Sequence, residues 1–302
     1  MVGAPPDAPA GQSACLRAIL AVASNKGGVG KTTLATNLAI YMRALQEEQP
    51  VCVVGLDDQG ILDRMFALRA AEVGDGNLKH GWAERSFDRV IRLGQYGVHY
   101  VPPPPDVALL KARAEDPKTL RRILARTEWR GIFLLDTKAD LEALTRNAVH
   151  AADRVLVPVA DWASLEEAGK IFRMLERDRL PIQRARVVFT LVDRRSRVDG
   201  GQPLYDAIQA EVARRGWPRY QTFISRSPRV ETLNSASARP LSILHHARGT
   251  AVHGELRDLG DEILRDLAAG EAGPPEEQDV LWGRSSGGRS GTRDVRGVLR
   301  RW

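Results

Sequence analysis

The chain has 302 residues, of which 43% are hydrophobic and 27 are glycine, enough apolar material for a packed core and too much for a wholly disordered chain. No run approaches 18 apolar residues, which argues against a transmembrane helix, and the two cysteines, Cys15 and Cys52, have no C-x-x-C spacing, which argues against a disulfide framework, a structural zinc or a Cys-ligated iron–sulfur cluster and fits a reducing cytoplasm. The formal net charge is +6, but residues 284–302 hold six arginines against Asp294 alone; that stretch accounts for +5 and leaves +1 for residues 1–283, so the body is not a globally basic nucleic-acid binder.

Residues 1–15, rich in Ala, Pro and Gly, read as a flexible N-terminal segment without the basic and apolar regions of a signal peptide. From Leu16 onward, apolar runs alternate with stretches of helical period. The runs are 16–24, 51–56, 98–102, 131–136, 154–160, 185–192 and 220–225; the helix candidates lie near 31–47, 106–126, 141–151, 163–179, 203–215 and 248–268. Short strands that are apolar on both faces, alternating with helices, predict an α/β fold: a doubly wound, mostly parallel sheet with helices on both faces, in a single domain over 16–270. Four prolines at 102–105 stiffen the chain as it leaves a strand. Beyond residue 270 the composition turns polar and rich in Gly and Ser, so 271–302 reads as a flexible basic C-terminal tail.

The segment SNKGGVGKTT (24–33) follows the first apolar run and opens the first helix. That is the context a phosphate-binding loop requires. Gly27, Gly28 and Gly30 allow the backbone to curl so that successive N–H groups, with that of Val29, converge on phosphate oxygens. The start of the helix, Lys31, Thr32 and Thr33, adds its partial positive charge. Lys31 can reach the terminal phosphates of a nucleotide, and the Thr32 hydroxyl is the expected magnesium ligand. Six specified positions recur by chance in on the order of one in 10⁵ chains of this length, at average residue usage.

The usual first glycine of a phosphate loop is replaced by Asn25, and a second lysine, Lys26, stands five residues before Lys31. The pattern K-G-G-x-G-K-T resembles the deviant Walker A motif of the ParA/MinD family of P-loop ATPases. The resemblance implies an ATP-dependent homodimer in which Lys31 acts in cis and Lys26 crosses to the partner's nucleotide. VCVVGLDDQG (51–60) is similar to the family's D-x-D-P-Q-G segment, which assigns Asp57 to the attacking water and leaves Gly55 and Asp58 as departures. GIFLLDTKADLEALTRNAVHAADRVLVPV (131–159) looks like the Walker B strand, in which Asp136 holds magnesium through water; Lys138 and Ala139 stand where prolines are usual. TLVDRRS (190–196) and SRSPRVETLNSASARPLSI (225–243) resemble two later family segments, and the match spans about 16–268. It implies ATP and Mg²⁺ as cofactors, slow hydrolysis, and sequence-independent DNA binding through Arg195 and Arg229 with Arg194 beside them.

The resemblance further implies a cytoplasmic, nucleoid-associated protein that partitions or positions DNA or a protein cargo and is released by a ParB-like or cargo-adaptor partner. No helix-turn-helix fits before Leu16, so operator-specific repression is not expected. The alternatives are a MinD-like membrane-associated protein and a slow nucleotide switch. In RDVRGVLRRW, residues 295, 298, 299 and 302 fall on one helical face and the arginines on the other, the pattern of an interfacial anchor. The tail therefore stays open between a flexible basic extension, an auxiliary contact with DNA or a partner, and a membrane anchor. His245 and His246 lack acid or cysteine neighbours at metal spacing and read as surface or core residues.

Overall fold

The computed structural model describes residues 15–57, 60–69, 76–104, 106–198, 200–235 and 240–271. The expectations for 1–14, for Asp58 and Gln59, and for the tail from 272 lie outside them. In chain order the elements are β1 (Ala18–Val22), α1 (Lys31–Leu45), β2 (Val51–Gly55), α2 (Ile61–Phe66), α3 (Leu78–Glu84), β3 (Arg92–Leu93), β4 (His99–Val101), α4 (Ala108–Lys111), α5 (Thr119–Arg126) and β5 (Ile132–Asp136). There follow α6 (Ala143–Ala151), β6 (Arg154–Val159), α7 (Trp162–Arg177), β7 (Ala185–Phe189), α8 (Leu204–Arg214), α9 (Pro228–Ser235), α10 (Ile243–His246) and α11 (Ala251–Glu271).

The strands form one sheet in the order β3-β4-β2-β5-β1-β6-β7, parallel throughout except for the short β3–β4 edge pair. This is the doubly wound α/β architecture that the alternation of runs predicts. Its two cores follow from the strand period of two. On one face Ile19, Ala21, Cys52, Val54 and Phe133 pack against residues of α3, α5, α6, α7 and α8. On the other, Leu20, Val22, Val53 and Leu134 pack against α1, α2, α10 and α11. Buried aliphatic side chains such as Leu38 and Leu259 in that second core stabilise the fold by about 1.5–3 kcal/mol each.

Two expectations fail for identifiable reasons. The run 220–225 is not a continuous ladder strand: Tyr220 N donates to Val187 O at 3.0 Å and Ile224 N to Phe189 O at 2.8 Å, but between them Gln221 N and Thr222 N turn to Glu262 of α11 at 2.7 and 3.1 Å, and Ser225 N donates to Glu255 at 2.7 Å. Isolated bridges, Val187 with Arg219 and Val192 with Ser225, stand where a continuous ladder would run. The helix candidate 106–126 is split into α4 and α5. Pro117 disfavours helical geometry at Asp116, whose carboxylate instead accepts from Lys118 N at 2.9 Å.

Candidate functional site

Everything that the sequence reading assigns to the nucleotide lies beyond the carboxyl ends of the central strands. β1 sits between β5 and β6, with β2 on the far side of β5, so the chain reverses its direction of progress across the sheet there. Such a switch point leaves a crevice between the diverging loops. The 24–30 loop leaves β1, Asp57 follows β2, Asp136 ends β5, and the residues after β6 and β7 close the other side.

Gly28 and Gly30 have φ of 75° and 84°, a left-handed backbone that costs any other residue type strain. Gly30 is the N-cap of α1 and contributes no side-chain cap, so no side chain closes off the N–H groups of the first turn. Gly27 and Gly28 are exposed while Val29 is buried, with its carbonyl accepting from the Thr190 hydroxyl at 2.9 Å. The loop is thus anchored at its middle and open at its rim. Lys31 is 8% exposed and donates to the carbonyl of Lys26 at 3.0 Å, so it spans the loop from within. Burial lowers the pKa of its ammonium; Asp136, Asp57 and Asp140 act in the opposite sense.

Asp136 is 2% exposed, and burial pushes its carboxyl up to about 7. A hydrogen bond with Thr32 pulls the other way, Asp57 adds to the rise and Lys31 opposes it. Its Oδ1 has no hydrogen-bond partner among the described residues. Asp136, Asp57, Thr32 and Gly55 line one small cavity with Pro103 and Leu62. A buried carboxylate with an open oxygen, a second carboxylate and a threonine hydroxyl around a shared cavity is a donor set suited to a hard divalent cation with retained water. The residues present therefore fit magnesium.

Gly55, the departure from the acidic pattern, has a packing role here. A Cβ at that position would lie 2.7 Å from Leu62 Cδ1 and 3.3 Å from Pro103, and Leu62 is 2% exposed. An aspartate at 55 therefore requires Leu62 to move. On the next loop Thr137 donates its hydroxyl to Val22 O at 2.8 Å, and Asp140 accepts from the Thr145 hydroxyl at 2.9 Å and from Glu142 N at 3.1 Å. Lys138 in that loop is partly exposed.

Lys26 is held by a residue that the sequence reading missed. Its ammonium donates to both oxygens of Asp161, at 2.8 and 3.0 Å, with the two side chains 31% and 46% exposed. Asp161 also caps α7 by accepting from Ser164 N at 2.7 Å. Burial works to raise its carboxyl pKa, but the hydrogen bonds from Lys26 and Ser164 hold it below the usual range. Asn25 donates to Glu167 on the same helix. The local signal was the D-x-x-S capping pattern at 161–164, which marks a helix start; nothing local ties it to Lys26, 135 residues away.

A second crevice, mostly apolar, lies against the loop. Its lining includes Gly30, Thr33, Leu34, Ile224, Val252 and Leu256, and Thr190, Leu191, Ser225, Ser227 and Glu231 contribute as well. Leu191 has φ of 52°, an uncommon conformation for a bulky residue and the kind of local strain that clusters at ligand sites.

The basic residues assigned to DNA are on neighbouring loops. Val192 N donates to Ile224 O at 3.0 Å and Arg226 N to Val192 O at 2.9 Å, joining the 192–197 loop to the segment that leads into α9. Arg194, Arg195 and Arg229 are all exposed. Arg195 is ion-paired with Asp193 at 3.1 Å, Arg194 lies over the Phe223 ring at 4.9 Å, and Arg229 donates to His246 O at 3.3 Å. His245 stacks on Tyr96 at 5.1 Å, and among the described residues no group of three metal-ligating side chains exists. No helix among the described residues is long and apolar enough to cross a membrane.

Residues 20–240 match the profile of the CobQ/CobB/MinD/ParA nucleotide binding domain. The chain belongs to this family. Within it, the chain is 32% identical over 248 residues to the chromosome-partitioning ATPase Soj of Thermus thermophilus, a match that covers 81% of this chain and 94% of Soj. Two solved structures share its fold. Cobyrinic acid a,c-diamide synthase from Mycobacterium smegmatis, with bound ATP analogue and magnesium, superposes with a TM-score of 0.64 at 22% identity, covering 84% of this chain and 97% of that one. A plasmid partition protein from Borrelia burgdorferi bound to AMPPNP gives 0.63 at 16% identity, covering 83% and 99%. As a member of the CobQ/CobB/MinD/ParA family with a Soj-like sequence, the chain falls among the ParA-like partitioning ATPases, as the loop pattern implies.

Proposed function

We propose that the chain is an ATP-dependent dimerising ATPase that binds duplex DNA without regard to sequence and partitions or positions DNA or a protein cargo. The observation that carries this reading is the convergence of the 26–33 loop, Asp57 and Asp136 at the switch point, beside a mostly apolar crevice of the right character for a base. The N–H groups of Gly27, Gly28, Val29 and Gly30 and the start of α1 bind the phosphates, with Lys31 neutralising charge from within the subunit. Lys26 leaves Asp161 and reaches the partner's nucleotide, because two nucleotides buried face to face need cations from both sides. Thr32 and Asp136 would hold magnesium, which when bound would neutralise charge on the terminal phosphates. Asp57 orients the attacking water and accepts its proton. Gly55 offers no second acid, so basal turnover falls well below about 10 s⁻¹.

Closure of the dimer presents Arg194, Arg195 and Arg229 to DNA phosphates, which gives sequence-independent, salt-sensitive binding. A ParB-like or cargo-adaptor protein that stimulates hydrolysis releases the dimer, and the protein is cytoplasmic and nucleoid-associated. The relationship to Soj supports the partitioning role. The test is fluorescence anisotropy of an arbitrary labelled duplex. Binding is expected with Mg²⁺ and a slowly hydrolysed ATP analogue, and not with ADP; equal binding in both states refutes the nucleotide switch.

A further inference from the structure

Two hydroxyls of the crevice beside the loop, those of Ser225 and Thr190, have protons that are already committed. Ser225, one of its lining residues, donates its backbone N–H to Glu255 Oε2 at 2.7 Å and its hydroxyl to Glu255 Oε1 at 2.6 Å. A carboxylate accepts and does not donate, so the direction of both bonds is fixed. Ser225 Oγ therefore has only lone pairs left to offer the crevice. Thr190, on the same lining, spends its hydroxyl proton on Val29 O at 2.9 Å. Glu231, also on the lining, is a carboxylate and pairs with Arg226 at 2.9 Å. Thr33 and Ser227 supply the remaining hydroxyls.

Glu255 is well placed to enforce this polarity. It stands on α11 beside Val252 and Leu256, which form part of the apolar wall. Two further carboxylates of that helix grip the same segment: Glu262 accepts from Gln221 N and Thr222 N, and Asp266 from the Tyr220 hydroxyl at 2.9 Å. The segment thus keeps two of its three anchors when Glu255 is changed.

We infer that Glu255 is a positioning residue that sets the base preference of the crevice. By holding Ser225 as an acceptor, it favours a nucleobase that presents an exocyclic amine and rejects one that presents a carbonyl oxygen at the same edge. The mismatched base would leave two acceptors facing each other without water, which costs more than the loss of one hydrogen bond. The inference rests on the proposed nucleotide-binding reading and deepens it, since it concerns which nucleotide the crevice takes.

The experiment uses the full chain with Mg²⁺ and measures the affinities of slowly hydrolysed ATP and GTP analogues and of inorganic tripolyphosphate, which lacks a base. The wild type is expected to favour the ATP analogue by at least about tenfold, the worth of one well-placed hydrogen bond. In Glu255→Gln the amide can donate to Ser225 Oγ and release the hydroxyl proton toward the crevice. The ATP-to-GTP ratio should then fall about tenfold while tripolyphosphate affinity stays the same. Ser225→Ala, which keeps the backbone bond to Glu255, should lower the ratio in the same way. An ATP-to-GTP ratio that is unchanged in both variants, or absent in the wild type, overturns the inference and leaves nucleotide binding standing. A wild-type chain that binds neither nucleotides nor tripolyphosphate overturns both.

Discussion

If Lys26 must leave Asp161 to reach a partner's nucleotide, then weakening that pair should tighten the dimer. Asp161→Asn is the informative change. Asparagine and aspartate are comparable N-caps, so the bond from Ser164 N that starts α7 is retained and the ion pair alone is lost. The pair is bidentate at 2.8 and 3.0 Å, but both side chains are a third to a half exposed, which puts it in the range of surface ion pairs, about 0.2–1 kcal/mol. A symmetric dimer breaks two such pairs, so the release amounts to about 0.4–2 kcal/mol, or roughly a two- to thirtyfold smaller dimer dissociation constant. Thermal stability of the monomer should fall by no more than about 1 kcal/mol. Sedimentation velocity across a concentration series, with Mg²⁺ and a slowly hydrolysed ATP analogue, measures the constant. A variant that dimerises more weakly than wild type refutes the reasoning, because it means that Asp161 supports the closed dimer instead of holding Lys26 back.

Lys31→Ala should abolish nucleotide binding in calorimetric titration, whereas Lys26→Ala should bind nucleotide normally and fail to dimerise; a Lys26→Ala chain that still dimerises sinks the assignment in trans. Arg195→Glu with Arg229→Glu should remove binding to arbitrary duplex, and Asp193→Asn, which frees Arg195 from its ion pair, should strengthen it. The dependence of the wild-type affinity on salt should carry a log–log slope of about 0.9 per phosphate contacted, and a flat salt dependence contradicts a phosphate-binding surface. His99 supplies a pH test. Burial, with a smaller effect from Arg43, lowers its pKa from 6.5 to about 4, so it favours the fold fully above pH 6.5, and that contribution is lost as pH falls toward 4. The loss is worth about 3 kcal/mol from the size of the shift. Asp136, raised from 3.8 to about 7, acts with the opposite sign over much of the same window, so the measurement is the difference between wild type and His99→Gln in urea denaturation at pH 7 and pH 4.5. The difference should change with pH, and a constant difference refutes the assignment.

The sheet was legible because its strands are buried on both faces and so read as continuous apolar runs, and the helix openings were legible where glycine, proline or a capping residue stands at the boundary. The loop at 24–33 was legible because its chemistry is contiguous: glycines, lysine and threonine act where they stand in the sequence. What sequence reading missed depends on partners far along the chain. Residues 220–225 have strand composition, and Tyr220 N and Ile224 N do reach β7, yet Glu255 and Glu262, thirty to forty-one residues later, take the N–H groups of Gln221, Thr222 and Ser225 and interrupt the ladder. Asp161 looks like a helix cap and acts also as the counter-ion of Lys26. Gly55 reads as a lost acid, and the structure adds that Leu62 and Pro103 fill the space a side chain would occupy. Pro117 did carry a local signal, and the break between α4 and α5 was there to be read.

The central claim, that nucleotide closes two copies of this chain into one unit, is tested most directly by the mass of the full chain in solution. Sedimentation equilibrium with Mg²⁺ and a slowly hydrolysed ATP analogue should give twice the 33.3 kDa of a single chain, and with ADP it should give the single-chain mass. The same mass in both states would contradict the account.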